Sequence, residues 1–454
     1  MRGRQVAIVT LNNVAEYHVE NFGCRSSRSD GEAIASGLRQ RGLRPAAGFS
    51  EANVVIVNTC SVTADADSGA RAFIRRVHRQ NPQAKIVVTG CYAQRAPEEL
   101  ATLNGVSAVI GNSHKSLVAP GITEPLSFIP LARLVNNIPV LADENFAHAD
   151  LATLPFAEDA GQTRPNLKVQ DGCGNRCSFC IIPDTRGPSR SISLAECLSS
   201  VQRFVANGGQ ELVLSGINLG RWGRDLKPAH RFTDLVAAIL EKTALPRLRL
   251  SSIEPMDWTP QLLALYAMYP ERLAHHAHLP LQSGSDTILR RMYRRYRPWH
   301  YAEKIRQIRN LLPDAAIGAD VMVGFPGESD ALFQESYDFI AGQPFTYLHL
   351  FPFSPRPGTL AAAMSPLPAH IVEERMAALR SLADQKNLAF RQRFIGRKLT
   401  AVTLKGGHRD TTTPAISSNF IKIEVATLCP PNHTIPVQVT GLSEAGLYAN
   451  PVQN

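Results

Sequence analysis

The most informative segment of this chain is Asp171-Gly172-Cys173-Gly174-Asn175-Arg176-Cys177-Ser178-Phe179-Cys180. It sets Cys173, Cys177 and Cys180 in a C-x3-C-x2-C spacing directly after a predicted strand. Three thiolates this close together can hold three irons of a 4Fe-4S cluster and leave the fourth iron open to a ligand. A zinc site is the alternative, but structural zinc usually takes four protein ligands, and here only a distant histidine could complete the set. The spacing therefore predicts an iron-sulfur centre at the end of a strand.

The sequence around and after this motif repeats a strand-then-helix pattern. Six strands followed by helices predict an incomplete version of the eight-stranded parallel barrel, whose chemistry lies where the strands end. A long helical pattern from His370 to Phe394 closes the region. The six predicted strands are Leu167–Gln170, Glu211–Leu214, Arg247–Ile253, His276–Leu281, Ile317–Val323 and Tyr347–Phe351.

The N-terminal region predicts an open parallel α/β sheet. Short β-branched runs at Asn53–Asn58 and Lys85–Gly90 flank a helical pattern, and Cys60 and Cys91 follow these two strands. Both cysteines should therefore stand at the carboxyl edge of the sheet, where open α/β sheets bind ligands. Cys24 precedes a helical pattern from Asp30 to Arg41 and could join them, with Asp30 as the expected N-cap of that helix.

The remaining segments complete a predicted division into four parts. A proline-rich stretch after Ala119 predicts a connection, and the β-rich alternation after Gly396 predicts a small all-β barrel like an oligonucleotide-binding fold. The predicted parts are an N-terminal domain (1–118), a connection (119–158), a barrel core (159–394) and a C-terminal β-barrel domain (395–454).

Composition limits the possible partners and compartment. The chain has 454 residues and a net charge of +9, which favours an anionic partner. No stretch reaches the roughly eighteen uninterrupted apolar residues of a membrane span, and the apolar start resembles a signal peptide but ends too early. We therefore expect a cytoplasmic protein with no membrane partner. In a reducing cytosol, eight cysteines favour metal or redox chemistry over disulfides.

A basic and aromatic segment follows the fourth barrel strand and is a candidate RNA contact. Arginine can bind phosphate, and flat side chains can stack on unstacked bases. The alternative is an ordinary solvated helix face. The C-terminal part carries five lysine or arginine residues against three acids, which favours the RNA interpretation. The candidate RNA-binding residues are Arg290, Arg291, Arg294, Arg295 and Arg297, with Tyr293, Tyr296 and Trp299 between or beside them.

These motifs together resemble the radical S-adenosylmethionine (SAM) methylthiotransferase family. The resemblance covers most of the chain and is greatest to the bacterial branch that acts on threonylcarbamoyladenosine in tRNA. The C-terminal part resembles the TRAM domain, which binds tRNA. The matching stretches are Asn58–Thr63, Val88–Gln94, Gly105–Lys115, Asp171–Ser191, Leu250–Pro255, Leu279–Ser285 and Gly324–Glu328.

The resemblance implies two 4Fe-4S clusters and SAM as cofactors. Cys173, Cys177 and Cys180 would hold the cluster whose open iron chelates SAM, and Phe179 occupies the aromatic position of the motif. The resemblance also implies that three further cysteines hold an auxiliary cluster, whose open iron carries the sulfur to be transferred. From strand-end geometry we expect SAM contacts at Ser215, Glu254 and Gln282, with turn hydrogen bonding as the alternative for the last two. The three auxiliary cysteines would be Cys24, Cys60 and Cys91.

The implied reaction is methylthiolation of carbon 2 of threonylcarbamoyladenosine beside the anticodon. The implied partners are tRNA and an electron donor such as a flavodoxin, and we expect a monomer. The same chemistry on isopentenyladenosine or on a ribosomal-protein aspartate is the first alternative. A non-catalytic RNA-binding protein with a metal cluster is the second.

Overall fold

The computed structural model describes residues 15–123, 133–146, 163–406 and 411–452. The chain divides into two compact units, of which the first comprises residues 1–157, 170–192 and 354–362 and the second comprises the rest. The signal-like start and much of the predicted connection lie outside the described residues. All six cysteines of the two predicted triads belong to the first unit.

A seven-stranded sheet forms the centre of the first unit. Its strands are β1 (Glu16–Asn21), β2 (Arg44–Pro45), β3 (Val54–Thr59), β4 (Lys85–Gly90), β5 (Val106–Gly111), β6 (Arg133–Val135) and β7 (Ile138–Leu141). They lie in the order β2-β1-β3-β4-β5-β7-β6, and all pairs are parallel except β6 with β7. The predicted open parallel sheet is therefore confirmed, with one antiparallel hairpin at its edge.

Helices cover both faces of this sheet. All six residues of β3 are buried, as expected for a strand covered on both sides. Successive side chains of a strand point to opposite faces, so Val55 and Val57 join one apolar core while Val54 and Ile56 join the other. The helices of the first unit are α1 (Arg25–Gln40), α2 (Ala64–Gln80), α3 (Cys91–Arg95), α4 (Pro97–Ala101), α5 (Val118–Thr123) and α6 (Ile182–Arg186).

Helix α1 begins five residues before the predicted N-cap, so the assignment of Asp30 as N-cap was wrong. The N-cap is Cys24, which has an extended backbone and makes no side-chain cap hydrogen bond. Asp30 lies inside the helix and is 3% exposed. Its carboxylate pairs with Lys115 at 2.7 Å and with Arg186 at 3.1 Å, so two cations engage it instead of the backbone amides of the first turn.

The predicted six-stranded partial barrel is confirmed. Two sheets supply it, in the orders β11-β10-β8-β9 and β12-β13-β14, and parallel bridges between Leu248 and Leu273 and between Ser252 and His278 join them. The sequence did not predict the two-residue strand β9, which is antiparallel to β8. The strands are β8 (Asn166–Asp171), β9 (Arg190–Ser191), β10 (Glu211–Gly216), β11 (Arg247–Leu250), β12 (His276–His278), β13 (Ala316–Val323) and β14 (Tyr347–Pro352).

Seven further helices follow the strands of the second unit. Ser193 and Glu196 form a capping box at the start of the first of them, and Cys197 packs there fully buried. Among the described helices, none has both the length and the apolar character needed to cross a bilayer. The helices are α7 (Leu194–Ala206), α8 (Phe232–Lys242), α9 (Pro260–Met268), α10 (Asp286–Arg291), α11 (Pro298–Leu311), α12 (Asp330–Gly342) and α13 (Ala369–Gln392).

The C-terminal residues form a closed five-stranded barrel in the order β15-β16-β17-β19-β18, as predicted. Arg249 on β11 pairs with buried Glu211 at 2.7 Å and donates to the backbone oxygens of Ser417 and Ser418 at 3.0 Å. Within the second unit, this buried ionic group ties the C-terminal β-barrel to strands β10 and β11. The strands are β15 (Lys398–Thr403), β16 (Thr413–Ser417), β17 (Lys422–Val425), β18 (Thr434–Leu442) and β19 (Leu447–Pro451).

Candidate functional site

The first cysteine triad lies at the carboxyl edge of the N-terminal sheet. Cys24 follows β1, Cys60 follows β3 and Cys91 follows β4, and these three strands are neighbours in the sheet. Gly23 shows how closely two of these segments approach, because a Cβ atom there would lie 2.6 Å from the Sγ of Cys60. Gly23 also has a φ of +106°, which favours glycine. The fold therefore brings together three cysteines that are 31 to 67 residues apart in sequence.

The thiols of this triad interact electrostatically. Burial, together with repulsion from the neighbouring thiolates of Cys91 and Cys24, raises the pKa of Cys60 to about 12. Without a cation, three thiolates at this edge of the sheet would be unfavourable. A metal binds thiolates and compensates their repulsion, so this donor set fits an iron-sulfur cluster.

Polar groups surround the same cysteines. The Nδ2 of Asn112, directly after β5, donates to the Sγ of Cys91 at 3.4 Å. Within the described part of the chain, buried side-chain oxygens of Ser26, Asn58 and Thr89 find no hydrogen-bond partner. These residues flank Cys24, Cys60 and Cys91 in sequence, and unsatisfied buried polar atoms commonly mark a missing ligand or water. These unpartnered oxygens support the binding of a polar group beside the three cysteines.

The second triad lies in the loop that follows β8. The backbone amide of Cys173 donates to the carbonyl of Gly187 at 3.0 Å, and the amide of Asn175 donates to the Sγ of Cys173 at 3.4 Å. Gly172 has a φ of +72°, and a Cβ there would lie 2.0 Å from the carbonyl oxygen of Pro188, so only glycine fits. All three cysteines are half-buried. A compact loop with three accessible sulfurs and an N–H···S contact suits a cluster.

The predicted SAM contacts differ in their surroundings. Ser215 and Gln282 are buried, and in the described ranges neither the Oγ of Ser215 nor the Oε1 of Gln282 has a hydrogen-bond partner. Gln282 also has a φ of +69°, a strained backbone conformation found most often at functional sites. Glu254 is instead paired with Arg294 at 3.1 Å, and Phe179 is half-buried within the cysteine loop.

The predicted RNA-binding arginines do not all lie on the surface. Arg290, Arg291 and Arg295 are exposed. Arg294 is 9% exposed and packs on the ring of Tyr296. Arg297 is half-buried and pairs with Asp286 at 3.3 Å. The exposed part of the segment therefore consists of three arginines together with Tyr293 and Trp299, which are 58% and 56% exposed.

A cluster of histidines lies in the barrel. The hydroxyl of Tyr347 contacts His276 at 2.7 Å and His278 at 2.9 Å. His278 and His349 both contact the carboxylate of Asp320, at 3.0 and 3.2 Å. Burial alone would raise the pKa of Asp320. Hydrogen bonds from the two imidazoles outweigh this effect and hold the pKa below its usual range. No local sequence pattern indicates that Asp320 and His349 lie against His278.

Two family models match the chain. The description "Uncharacterized protein family UPF0004" matches residues 16–111, which contain the first triad, and "Radical SAM superfamily" matches residues 167–340, which contain the second. Each model therefore covers one of the two cysteine sites.

Curated relatives match over nearly the full length. The threonylcarbamoyladenosine tRNA methylthiotransferase MtaB of Aquifex aeolicus is 35% identical over 89% of this chain and 95% of its own. The protein of the same name from Rickettsia prowazekii is 32% identical, over 96% of this chain and 97% of its own. The tRNA-2-methylthio-N(6)-dimethylallyladenosine synthase of Acidothermus cellulolyticus is 33% identical over 96% and 88%.

Solved structures share the fold at low sequence identity. The radical SAM methyltransferase TsrM from Kitasatospora setae, solved with cobalamin and a [4Fe-4S] cluster, aligns with a TM-score of 0.56 and 16% identity. The alignment covers 78% of this chain and 74% of that one. At this identity the likeness supports the radical SAM fold alone.

Proposed function

This chain belongs to the radical SAM methylthiotransferase family, and on that premise we propose that it methylthiolates carbon 2 of N6-threonylcarbamoyladenosine beside the anticodon of tRNA. The observation that carries the proposal is the presence of two cysteine triads in one compact unit, each following parallel strands at their carboxyl ends. The choice of nucleoside is supported by the relatives from Aquifex aeolicus and Rickettsia prowazekii, both named MtaB, at 35% and 32% identity.

Each triad has its own role in this proposal. Cys173, Cys177 and Cys180 would hold the cluster that binds SAM, and a second cluster would be held by Cys24, Cys60 and Cys91. When bound, these groups supply a carbon-centred radical at the SAM-binding site and a transferable sulfur at the other site. The unpartnered oxygens of Ser215 and Gln282 are well suited to bind polar groups of SAM, because buried polar atoms gain most when a ligand satisfies them.

Radical chemistry suits the proposed target atom. A neutral aromatic C–H bond offers no acidic proton, so general acid-base catalysis by side chains has nothing to act on. The base must leave the stack of the anticodon loop to reach a buried site, at a cost of about a few kcal/mol that is least in a single-stranded loop. Protein groups that bind the unstacked loop would offset this cost.

We propose the exposed face formed by Tyr293, Trp299 and the nearby exposed arginines as one RNA contact. Replacing Tyr293 or Trp299 with alanine should weaken tRNA binding by about 5- to 100-fold for each base stack that is lost. Affinity for the unmodified tRNA should be measured at one fixed salt concentration, because phosphate contacts depend strongly on salt. Arg306→Ala is the matched control, because Arg306 is exposed on α11 and paired with Glu303. Unchanged affinity in a Tyr293→Ala/Trp299→Ala double variant would remove this face from the interface.

The nucleoside is tested by mass spectrometry of tRNA from a strain lacking the gene. We expect methylthio-threonylcarbamoyladenosine to disappear, its unmethylthiolated precursor to accumulate, and the wild-type gene but not a Cys60→Ala variant to restore it. Persistence of that nucleoside, in a strain with no second enzyme for it, would refute the assignment. Loss of the isopentenyladenosine derivative, or of methylthio-aspartate in a ribosomal protein, would identify the rival substrate.

Three further expectations remain part of this proposal. The enzyme works in the cytoplasm, where its tRNA substrate is found, and it acts as a monomer. A flavodoxin-like protein supplies the electrons. The resemblance of the sequence to the family supports the last of these.

A further inference from the structure

Arg186 is a buried cation that contacts both cysteine-bearing segments. It ends helix α6, six residues after Cys180, and its side chain is 1% exposed. Its Nη1 donates to both carboxylate oxygens of Asp171, at 2.9 and 3.1 Å, and Asp171 lies two residues before Cys173. Its Nη2 donates to Asp30 at 3.1 Å. Asp30 lies on α1, the helix that Cys24 caps.

Asn112 provides a second connection between the end of α6 and the first triad. Thr185, the neighbour of Arg186, accepts a hydrogen bond through its carbonyl from the Nδ2 of Asn112 at 2.8 Å, and this Nδ2 also contacts the Sγ of Cys91 at 3.4 Å. The end of α6 is therefore held against the first triad by side chains of both Asn112 and Asp30. Lys115 pairs with Asp30 at 2.7 Å, so the buried group comprises two cations and two carboxylates.

The guanidinium group also interacts with the thiols themselves. Burial lowers the pKa of Arg186, but Asp171, Cys91, Asp30 and Cys24 raise it more, so the group stays charged. Among the residues that the structure describes, the buried Nε–H of Arg186 has no hydrogen-bond acceptor. A buried donor without a partner is rare and commonly marks a missing ligand or water.

We propose that Arg186 is a positioning residue that fixes the two cysteine sites relative to each other and donates its Nε–H to the inorganic sulfur of the group bound by Cys24, Cys60 and Cys91. This inference rests on the proposed two-cluster function. Hydrogen bonds to cluster sulfurs and nearby positive charge raise a cluster's reduction potential. Arg186 therefore makes the auxiliary cluster easier to reduce and holds its sulfur where transfer can occur.

The first test measures a potential. The parent is a Cys173→Ala/Cys177→Ala/Cys180→Ala variant of the full chain, reconstituted anaerobically so that only the first triad can bind a cluster. Redox titration followed by electron paramagnetic resonance should give a more negative midpoint potential when Arg186→Gln is added. Arg186→Lys keeps the charge but lacks the Nε–H and the planar fork, so we expect a smaller negative shift. Arg79→Gln is the matched control, because Arg79 is an exposed arginine in the last turn of α2, and we expect no shift.

The second test measures coupling in the enzyme with all six cysteines. Arg186→Gln should still cleave SAM, but methylthiolated product per SAM cleaved should fall by about 10- to 100-fold, as is usual when an outer hydrogen-bond partner of a metal site is lost. Loss of iron from the first triad alone, in both Arg186 variants, would also support the positioning role.

Two outcomes would overturn the inference. One is an unchanged potential and unchanged coupling in both Arg186 variants, and the other is equal loss of iron from both triads. If the parent variant itself binds no iron, the two-cluster function fails, which is distinct from a failure of the role assigned to Arg186.

Discussion

Replacing Cys177 with alanine should reduce SAM cleavage to the level of an enzyme-free control. Cys177 is the central cysteine of the loop after β8, and two remaining thiols cannot hold a cluster with a single open iron. Without that cluster no electron reaches SAM, so neither 5′-deoxyadenosine nor methylthiolated tRNA should form. Both products can be measured by liquid chromatography and mass spectrometry after anaerobic reconstitution and addition of dithionite.

The matched control for Cys177→Ala is Cys429→Ala. Cys429 is a half-buried cysteine outside both triads, in the C-terminal region, so its replacement tests for general effects of losing a thiol. We expect full cleavage and full product from that variant. Normal SAM cleavage by Cys177→Ala would show that the C-x3-C-x2-C loop does not hold the SAM-binding cluster.

Replacing Cys60 with alanine should separate the two halves of the reaction. Cys60 follows β3, is 4% exposed, and lies beside Gly23 at the edge of the N-terminal sheet. Its loss should leave the SAM-binding triad intact, so 5′-deoxyadenosine should still form. Methylthiolated tRNA should fall to background, because the sulfur-carrying site would lack one of its three ligands.

Cys60→Ala is compared with Cys177→Ala in both SAM cleavage and methylthiolated product. A variant that loses both cleavage and product has lost the whole fold or both clusters, and this can be checked by circular dichroism and iron content. Full product formation by Cys60→Ala would contradict the assignment of the first triad. Alanine at Cys91 should behave in the same way, because Cys91 follows the adjacent strand β4.

The strands could be predicted from sequence because their signal is local. The β-branched run at Lys85–Gly90 coincides with β4, and the bounds of β3 are shifted by one residue from the predicted Asn53–Asn58. Strands buried on both faces are continuous apolar runs, which a single sequence shows directly. Because these strands are parallel, the cysteines that follow them lie at the same edge of the sheet.

Long-range ion pairs could not be predicted in this way. Asp30 had the sequence character of an N-cap, but its partner Arg186 lies 156 residues later in the chain. Arg294 had the pattern of a surface arginine, but Glu254 pairs with it inside the protein. In both cases an opposite charge distant in sequence offsets the desolvation cost of burying the charged side chain. The local pattern of charges does not reveal that partner.

Iron counting with Mössbauer spectroscopy distinguishes two separate cluster sites, formed by six cysteines, from a single site. We predict about eight irons per chain in the anaerobically reconstituted enzyme, as two 4Fe-4S clusters require, and about four when either triad is replaced by alanines. A count of about four in the intact enzyme, unchanged when Cys24, Cys60 and Cys91 are replaced, would show that these three cysteines hold no cluster.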